Sequence, residues 1–209
     1  MKIENSLDYN WQDDYSQTPY ICKDLEKILK NTINLDAQTH LDVGCGNGAI
    51  TKNISKFFKK STGIDLSLEG INQANKNKDV NIDFLHLSLN SLIEKKILYD
   101  FVTTIEVIEH QYDPQLFLSQ LSQVTKENGH ILISTPYHGY FKNLVMSILG
   151  LMDRHFTVHW KHGHIKFFSI KTLKELILGG DTNFEIVKVF FSGRFFPLSH
   201  SMIFLLRKK

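Results

Sequence analysis

His40-Leu41-Asp42-Val43-Gly44-Cys45-Gly46-Asn47-Gly48 is the stretch that decides the fold. Leu41 and Val43 lead as strand residues into a Gly-x-Gly-x-Gly turn, and the helical-looking run Ala49 to Phe58 follows at once. Glycine permits the positive φ of a tight turn and lets a ligand approach the backbone closely. The helix N-terminus beyond it presents unpaired N–H groups. Asp42 stands two residues before the first glycine, where a carboxylate would repel an anion and attract a cation.

The next apolar run, Thr62-Gly63-Ile64, closes on Asp65. An acid at the end of the second strand of such a unit can accept both hydroxyls of a ribose. A nucleoside joined to a cation describes S-adenosylmethionine better than NAD. Leu41 to Gly48, with Asp65, resembles the first motif and ribose-binding acid of the class I S-adenosylmethionine-dependent methyltransferases. The resemblance runs from about Asn34 to the C-terminus. It implies cofactor contacts from Asp42, Gly44, Cys45, Gly46 and Asn47 in the loop, from Asp65 and Leu66 at the ribose, from Ser88 and Leu89 at the adenine, and from Glu106.

From there the chain alternates strand and helix, the pattern of a parallel sheet covered on both faces. Ile21, Leu25, Ile28 and Leu29 recur at helical spacing between Tyr20 and Lys30, a helix that core packing explains. Ser67 to Asn77 is expected as a helix and Val80 to Leu87 as a strand. The fourth strand is Asp100 to Ile105, followed by a helix Pro114 to Thr125 capped by Asp113. Gly129 marks a stop and His130 to Ser134 is the fifth strand. After a helix Ile170 to Leu178 with Ser169 as cap, the runs Phe184 to Phe191 and Ser201 to Leu206 suit an antiparallel pair. The fold class is therefore α/β, and the resemblance implies a Rossmann-like, seven-stranded, mostly parallel sheet with its last strand antiparallel. One domain, 1–209, accounts for the length, with an N-terminal cap and helix over 1–33 and a lid insertion over 136–168.

Composition restricts the partners. A net charge of +2, with 22% charged and 42% hydrophobic residues, gives no electrostatic case for DNA and little for RNA. Two cysteines, Cys22 and Cys45, make no disulfide framework, and the start Met1-Lys2-Ile3-Glu4-Asn5 lacks a signal peptide's apolar core. The longest apolar stretch, Leu144 to Met152, is short of the roughly 20 residues that span a bilayer. A cytoplasmic protein, at most peripheral to a membrane, is the expectation.

Ligands of open α/β sheets bind at the carboxyl ends of the strands, so Glu106-Val107-Ile108-Glu109-His110, after the fourth strand, draws the chemistry. Glu106, Glu109 and His110 at i, i+3 and i+4 share one face of a helical turn. The lid expected over the same edge carries His138, His155, His159, His162 and His164, half of the 10 histidines. A segment that long is usually functional. Glu-x-x-Glu-His with a later histidine resembles the ubiquinone-pathway O-methyltransferases and the small-RNA 2′-O-methyltransferases. The resemblance implies a divalent metal such as Mg2+ on Glu106, Glu109, His110 and His164, with Glu109, His110 and His164 as catalytic groups. Coordination would lower the pKa of an acceptor hydroxyl, and a neighbouring base would take its proton.

Within the lid, Phe141 to Leu151 is apolar around much of its circumference. It is expected as a buried helix closing over the substrate, with a membrane-surface helix as the alternative. The overall expectation is methyl transfer from S-adenosylmethionine to a hydroxyl of a small or lipid-like, quinone-type metabolite. The rivals are an RNA 2′-O-methyltransferase and a non-catalytic S-adenosylmethionine-binding protein.

Overall fold

A computed structural model describes residues 19–32, 38–76, 78–156, 163–180 and 182–209. Of the N-terminal cap expected over residues 1–20, residues 1–18, with Tyr9, Trp11 and Tyr15, lie outside the described residues, as do His159, Trp160 and His162 of the lid.

Seven strands form one sheet: β1 Thr39–Val43, β2 Lys60–Asp65, β3 Ile82–His86, β4 Tyr99–Ile105, β5 Thr125–Pro136, β6 Phe184–Ser192 and β7 Ser201–Lys208. Their order is β3-β2-β1-β4-β5-β7-β6. β1 pairs in parallel with β2 and β4, as β2 does with β3 and β4 with β5. β7 runs antiparallel to both β5 and β6, the single reversal expected. Strand order changes direction between β1 and β4, which opens a crevice at their carboxyl ends.

The helices are α1 Pro19–Thr32, α2 Ala49–Ile54, α3 Leu68–Lys76, α4 Leu89–Glu94, α5 Pro114–Val124, α6 Tyr140–Ile148, α7 Met152–His155 and α8 Ile170–Leu178. Strand alternation divides the core in two. Ile131, Ile133, Phe204 and Leu206 join α5 and α8 through Leu118, Leu121, Leu173 and Ile177. Leu132, Ile203 and Leu205 face the other way, against Ile21, Leu25 and Leu29 of α1 and Ile54 of α2. Helices therefore cover both faces.

Side-chain caps set the starts of α5 and α8. Asp113 accepts from the Leu116 N–H at 2.9 Å with Pro114 next in line, and Ser169 and Thr172 form a reciprocal capping box on α8.

Three expectations are corrected. Val80 is fully exposed and lies outside β3. β5 begins at Thr125 rather than His130. Asn128 takes a positive φ of 61° there, and the pairing shifts register between Tyr99 and Phe101, so the glycine marks an irregularity within the strand instead of its start. The lid helix is neither as long nor as buried as its apolar periodicity suggests. Gly150, at φ 62°, ends it: the Leu151 N–H reaches Met146 O at 2.9 Å and the Gly150 N–H reaches Ser147 O at 3.2 Å, the paired bonds of a Schellman stop. Of α6, only Lys142 and Met146 are buried, while Phe141, Leu144 and Ile148 are 51%, 41% and 74% exposed.

Candidate active site

The loop after β1 turns on three glycines at positive φ. A Cβ at Gly44 would lie 2.5 Å from Val107 Cγ2, and one at Gly48 would lie 2.5 Å from Phe84 Cζ. Space as well as φ demands glycine at both. The Asp65 carboxylate fastens the loop to the end of β2, accepting from the Gly46 N–H at 2.8 Å and the Ser67 N–H at 2.7 Å. Asn47 Oδ1 accepts from the Ala49 N–H at the start of α2. The Cys45 side chain is buried against Ile71, Ala74, Ile82 and Phe84, so this residue offers the loop its backbone. Burial pushes its thiol well up.

Asp42 sits beneath the loop, 2% exposed. Thr51 Oγ1 donates to one oxygen at 2.5 Å and Thr103 Oγ1 to the other at 2.7 Å. Since the Thr103 proton is committed to Asp42, the 2.9 Å contact from His40 Nε2 to Thr103 Oγ1 requires Nε2 to carry the hydrogen. Nδ1 is then the acceptor from Ser61 at 3.1 Å. Every donor in this buried chain therefore points toward Asp42. Burial still raises the Asp42 carboxyl to about 6 and holds His40 down to about 3. Asp42 is thus a sealed carboxylate that ties β1 to α2 beneath the loop, at the position where the sequence suggested attraction of a cation.

Around the crevice, Leu66 is 51% exposed beside Asp65, and His86 Nε2 lies 3.0 Å from its carbonyl oxygen. Ser88 caps α4 by accepting from the Ser91 N–H at 3.3 Å, and Leu89 packs into the core.

Glu106 ends β4 with a φ of 57°. Its N–H donates to Ser134 Oγ at 3.0 Å, and the same hydroxyl returns a bond to Glu106 Oε1 at 2.7 Å. Burial raises Glu106 to about 7, against the pull of Ser134, Ser201 and Lys142. Lys142, almost fully buried, donates to Tyr137 O at 2.9 Å.

Glu109 and His110 follow in a 3-10 turn, Ile108–His110. Glu109, His110 and His164 come together, with one ligand-type atom of each within 4.8 Å of the others. His164 is delivered by the lid, where the Ile165 and Lys166 N–H groups both donate to Glu109 O at 3.0 Å. Glu106 stands apart from this trio and faces Ser134. The four-residue set implied by resemblance therefore gathers as three. Glu109 is completely buried, and neither carboxylate oxygen has a hydrogen-bond partner among the described residues. The Thr135 hydroxyl faces it without meeting it in hydrogen-bond geometry. Burial, then the nearby Glu106, drives the Glu109 carboxyl well up. Burial and His110 lower His164 to about 4. The trio suits a divalent cation. Glu109 Oε1 and His164 Nε2 are 3.9 Å apart, a span that two ligands with bonds of about 2.1 Å can bridge. An orphaned buried carboxylate is what such an ion would satisfy.

Sequence reading missed Thr51, Thr103, His40, Ser134, Ser201 and Lys142. No periodicity or motif marks them, because each acts across strands, from α2 or from the lid.

The reversal of strand order, the glycine loop after β1 and the acid closing β2 together define the class I S-adenosylmethionine-dependent methyltransferases. A family model described as a methyltransferase domain matches residues 14–189, and the chain belongs to that family. Among relatives, the mitochondrial ubiquinone biosynthesis O-methyltransferase of Dictyostelium discoideum is 34% identical over 63% of this chain and 47% of its own length. The ubiquinone biosynthesis O-methyltransferase of Rickettsia canadensis is 31% identical over 78% of this chain and 69% of its own. The chain thus spans 47% of the first relative and 69% of the second. The fold matches solved structures at low identity. Magnesium protoporphyrin IX methyltransferase from Synechocystis, with bound S-adenosylhomocysteine, superposes at a TM-score of 0.68, 16% identity, and 90% and 84% coverage of the two chains. A methyltransferase from Anabaena variabilis does so at 0.67, 20% identity, and 94% and 86% coverage.

Proposed function

We propose that this chain transfers the methyl group of S-adenosylmethionine to a hydroxyl oxygen of a lipid-like, quinone-type ring, with the acceptor held by Glu109, His110 and His164. The observation that carries this reading is the orphaned Glu109 carboxylate, buried beside His164 in the turn after β4. The relatives' name, which specifies O-methylation in ubiquinone biosynthesis, supports the acceptor class.

Methyl transfer forms an O–CH3 bond as the S–CH3 bond breaks, leaving a neutral thioether, and it requires mainly in-line alignment. Gly44 and Gly46 present backbone to the methionine end, with Asp42 beneath them, Asp65 holds the ribose, and Ser88 and Leu89 border the adenine. A divalent cation such as Mg2+, bound by Glu109, His110 and His164, would lower the pKa of the acceptor hydroxyl. The hydroxyl proton would pass to water beside the ion or, with no ion bound, to His110 or His164 as general base.

Among the described residues no helix is long and apolar enough to cross a membrane. The exposed face of α6, Phe141, Leu144 and Ile148, supports peripheral contact with a bilayer that stores the acceptor. The test is labelled-methyl transfer into whole-cell extract with and without EDTA, followed by partition between organic solvent and water. Label in the organic phase that EDTA removes is the expected result. Aqueous label removed by ribonuclease would replace this reading with an RNA acceptor. Label in neither phase would leave a cofactor-binding protein without turnover.

A further inference from the structure

His40 takes no part in the reaction as described, yet it is completely buried in β1, on the face of the strand that carries Asp42. Its ring stacks on Phe58 at 4.4 Å. A phenylalanine would stack as well and would bring no polar atoms that need partners, so packing gives no reason for an imidazole there. Its polar neighbours give one. Ser61 Oγ, opposite on β2, lies 3.1 Å from Nδ1. Thr103 Oγ1 on β4, opposite Asp42, lies 2.9 Å from Nε2 and 2.7 Å from Asp42 Oδ1. Ser61 and Thr103 are completely buried too, so these groups have to satisfy one another.

Such a chain holds its protons in one of two orders. With Asp42 charged, Ser61 donates to Nδ1, the Nε2–H donates to Thr103, and Thr103 donates to the carboxylate. With Asp42 protonated, every bond reverses: Asp42 donates to Thr103, Thr103 to Nε2, and the Nδ1–H to Ser61. A neutral imidazole suits the middle of the chain because it donates from one nitrogen and accepts at the other. Burial keeps the ring neutral, with its pKa down at about 3. In a low dielectric each bond polarises the next, so the Nε2–H strengthens Thr103 as a donor to the charged carboxylate. A cofactor that brings positive charge to the loop above Asp42 favours the first order.

We propose that His40 is a positioning residue for S-adenosylmethionine: as the Nε2–H tautomer it commits the Thr103 proton to Asp42 and keeps that carboxylate charged beneath the loop. The inference rests on the placement of the methionine end at Gly44 and Gly46 and is independent of the acceptor.

The test has a spectroscopic arm and a binding arm, both on the full chain at neutral pH. Long-range nitrogen–proton correlation of the ring, assigned by the signals that vanish in His40→Gln, should show the Nε2–H tautomer in protein saturated with S-adenosylhomocysteine, which keeps the ammonium of the methionine end. The Nδ1–H tautomer there would overturn the proposal. By calorimetry, His40→Leu should bind S-adenosylhomocysteine about fivefold more weakly, the size of one hydrogen bond between neutral groups. His40→Gln keeps a donor for Thr103 and an acceptor for Ser61, and should stay within about twofold of wild type. A glutamine variant as weak as the leucine one would make the effect a matter of shape and overturn the proposal. Wild-type affinity in His40→Leu, with Asp42→Asn weakened, overturns the role of His40 alone. Wild-type affinity in Asp42→Asn overturns the placement of the methionine end and this inference with it.

Discussion

The Asp42 carboxylate and the Thr51 hydroxyl meet at 2.5 Å, joining the strand before the glycine loop to the helix after it. Thr51 is itself completely buried, so solvent cannot replace its bond. Thr51→Val keeps the shape, removes the donor and leaves a buried carboxylate oxygen unmet. A hydrogen bond to a charged group contributes about 1.5–3 kcal/mol, so S-adenosylhomocysteine affinity should fall roughly tenfold or more by calorimetry. Thr51→Ser should restore most of it. Wild-type affinity in Thr51→Val would show that the loop holds its shape without the clamp.

Gly44 combines a φ of 77° with a Cβ position 2.5 Å from Val107. Gly44→Ala incurs about 1–2 kcal/mol for the left-handed backbone, plus displacement of Val107, which immediately precedes the turn carrying Glu109. The Tm should drop by roughly 4–8 °C for a chain of this size, and turnover should fall with it. Adding Val107→Ala should recover the steric part and leave the backbone part.

Glu106 makes the stability of the ligand-free protein depend on pH. Its folded pKa is raised from 4.5 to about 7, so the folded state holds the proton more tightly than the unfolded chain. That contribution is complete below about 4.5 and is lost as pH rises through 7. His40, lowered to about 3, and His138 and His164, lowered to about 4, act in the opposite sense, and their contribution is fully present above 6.5. Thermal stability should therefore decline between pH 6.5 and 8, and Glu106→Gln should flatten that limb in a melting series. A decline of unchanged slope in the variant would assign it to Glu109 instead.

Glu109→Ala and His164→Ala should each abolish methyl transfer while leaving S-adenosylhomocysteine binding within about twofold. Wild-type protein treated with EDTA should lose activity and some thermal stability together, since an ion that binds only the folded state stabilises it. Turnover that persists in Glu109→Ala would remove this residue from the acceptor site.

Phe141 and Ile148 lie on the exposed face of α6. Burying an apolar side chain of this size in a bilayer interface is worth about 1.5–3 kcal/mol, so Phe141→Ser with Ile148→Ser should weaken sedimentation with phospholipid vesicles at least tenfold. Activity toward a water-soluble catechol should be unaffected. Equal vesicle binding by both proteins would place the contact elsewhere.

Local sequence alone determined the strand–turn–helix at residues 40–54, the α5 and α8 caps and the antiparallel end of the sheet. Each is written within a few neighbouring residues: glycines that need positive φ, Asp113 beside Pro114, and two β-rich runs with a short connection. The cofactor loop was legible for the same reason. Only the tertiary structure decided which polar groups meet. Thr51 and Thr103 reach Asp42 from a helix and a neighbouring strand, Ser134 claims Glu106 across the sheet, and the lid brings His164 to Glu109. Those partners lie 9, 61, 28 and 55 residues apart. What selects the first three is burial, because a carboxylate taken out of water must find donors wherever the fold places them, while Glu109 is brought to His164 without gaining one.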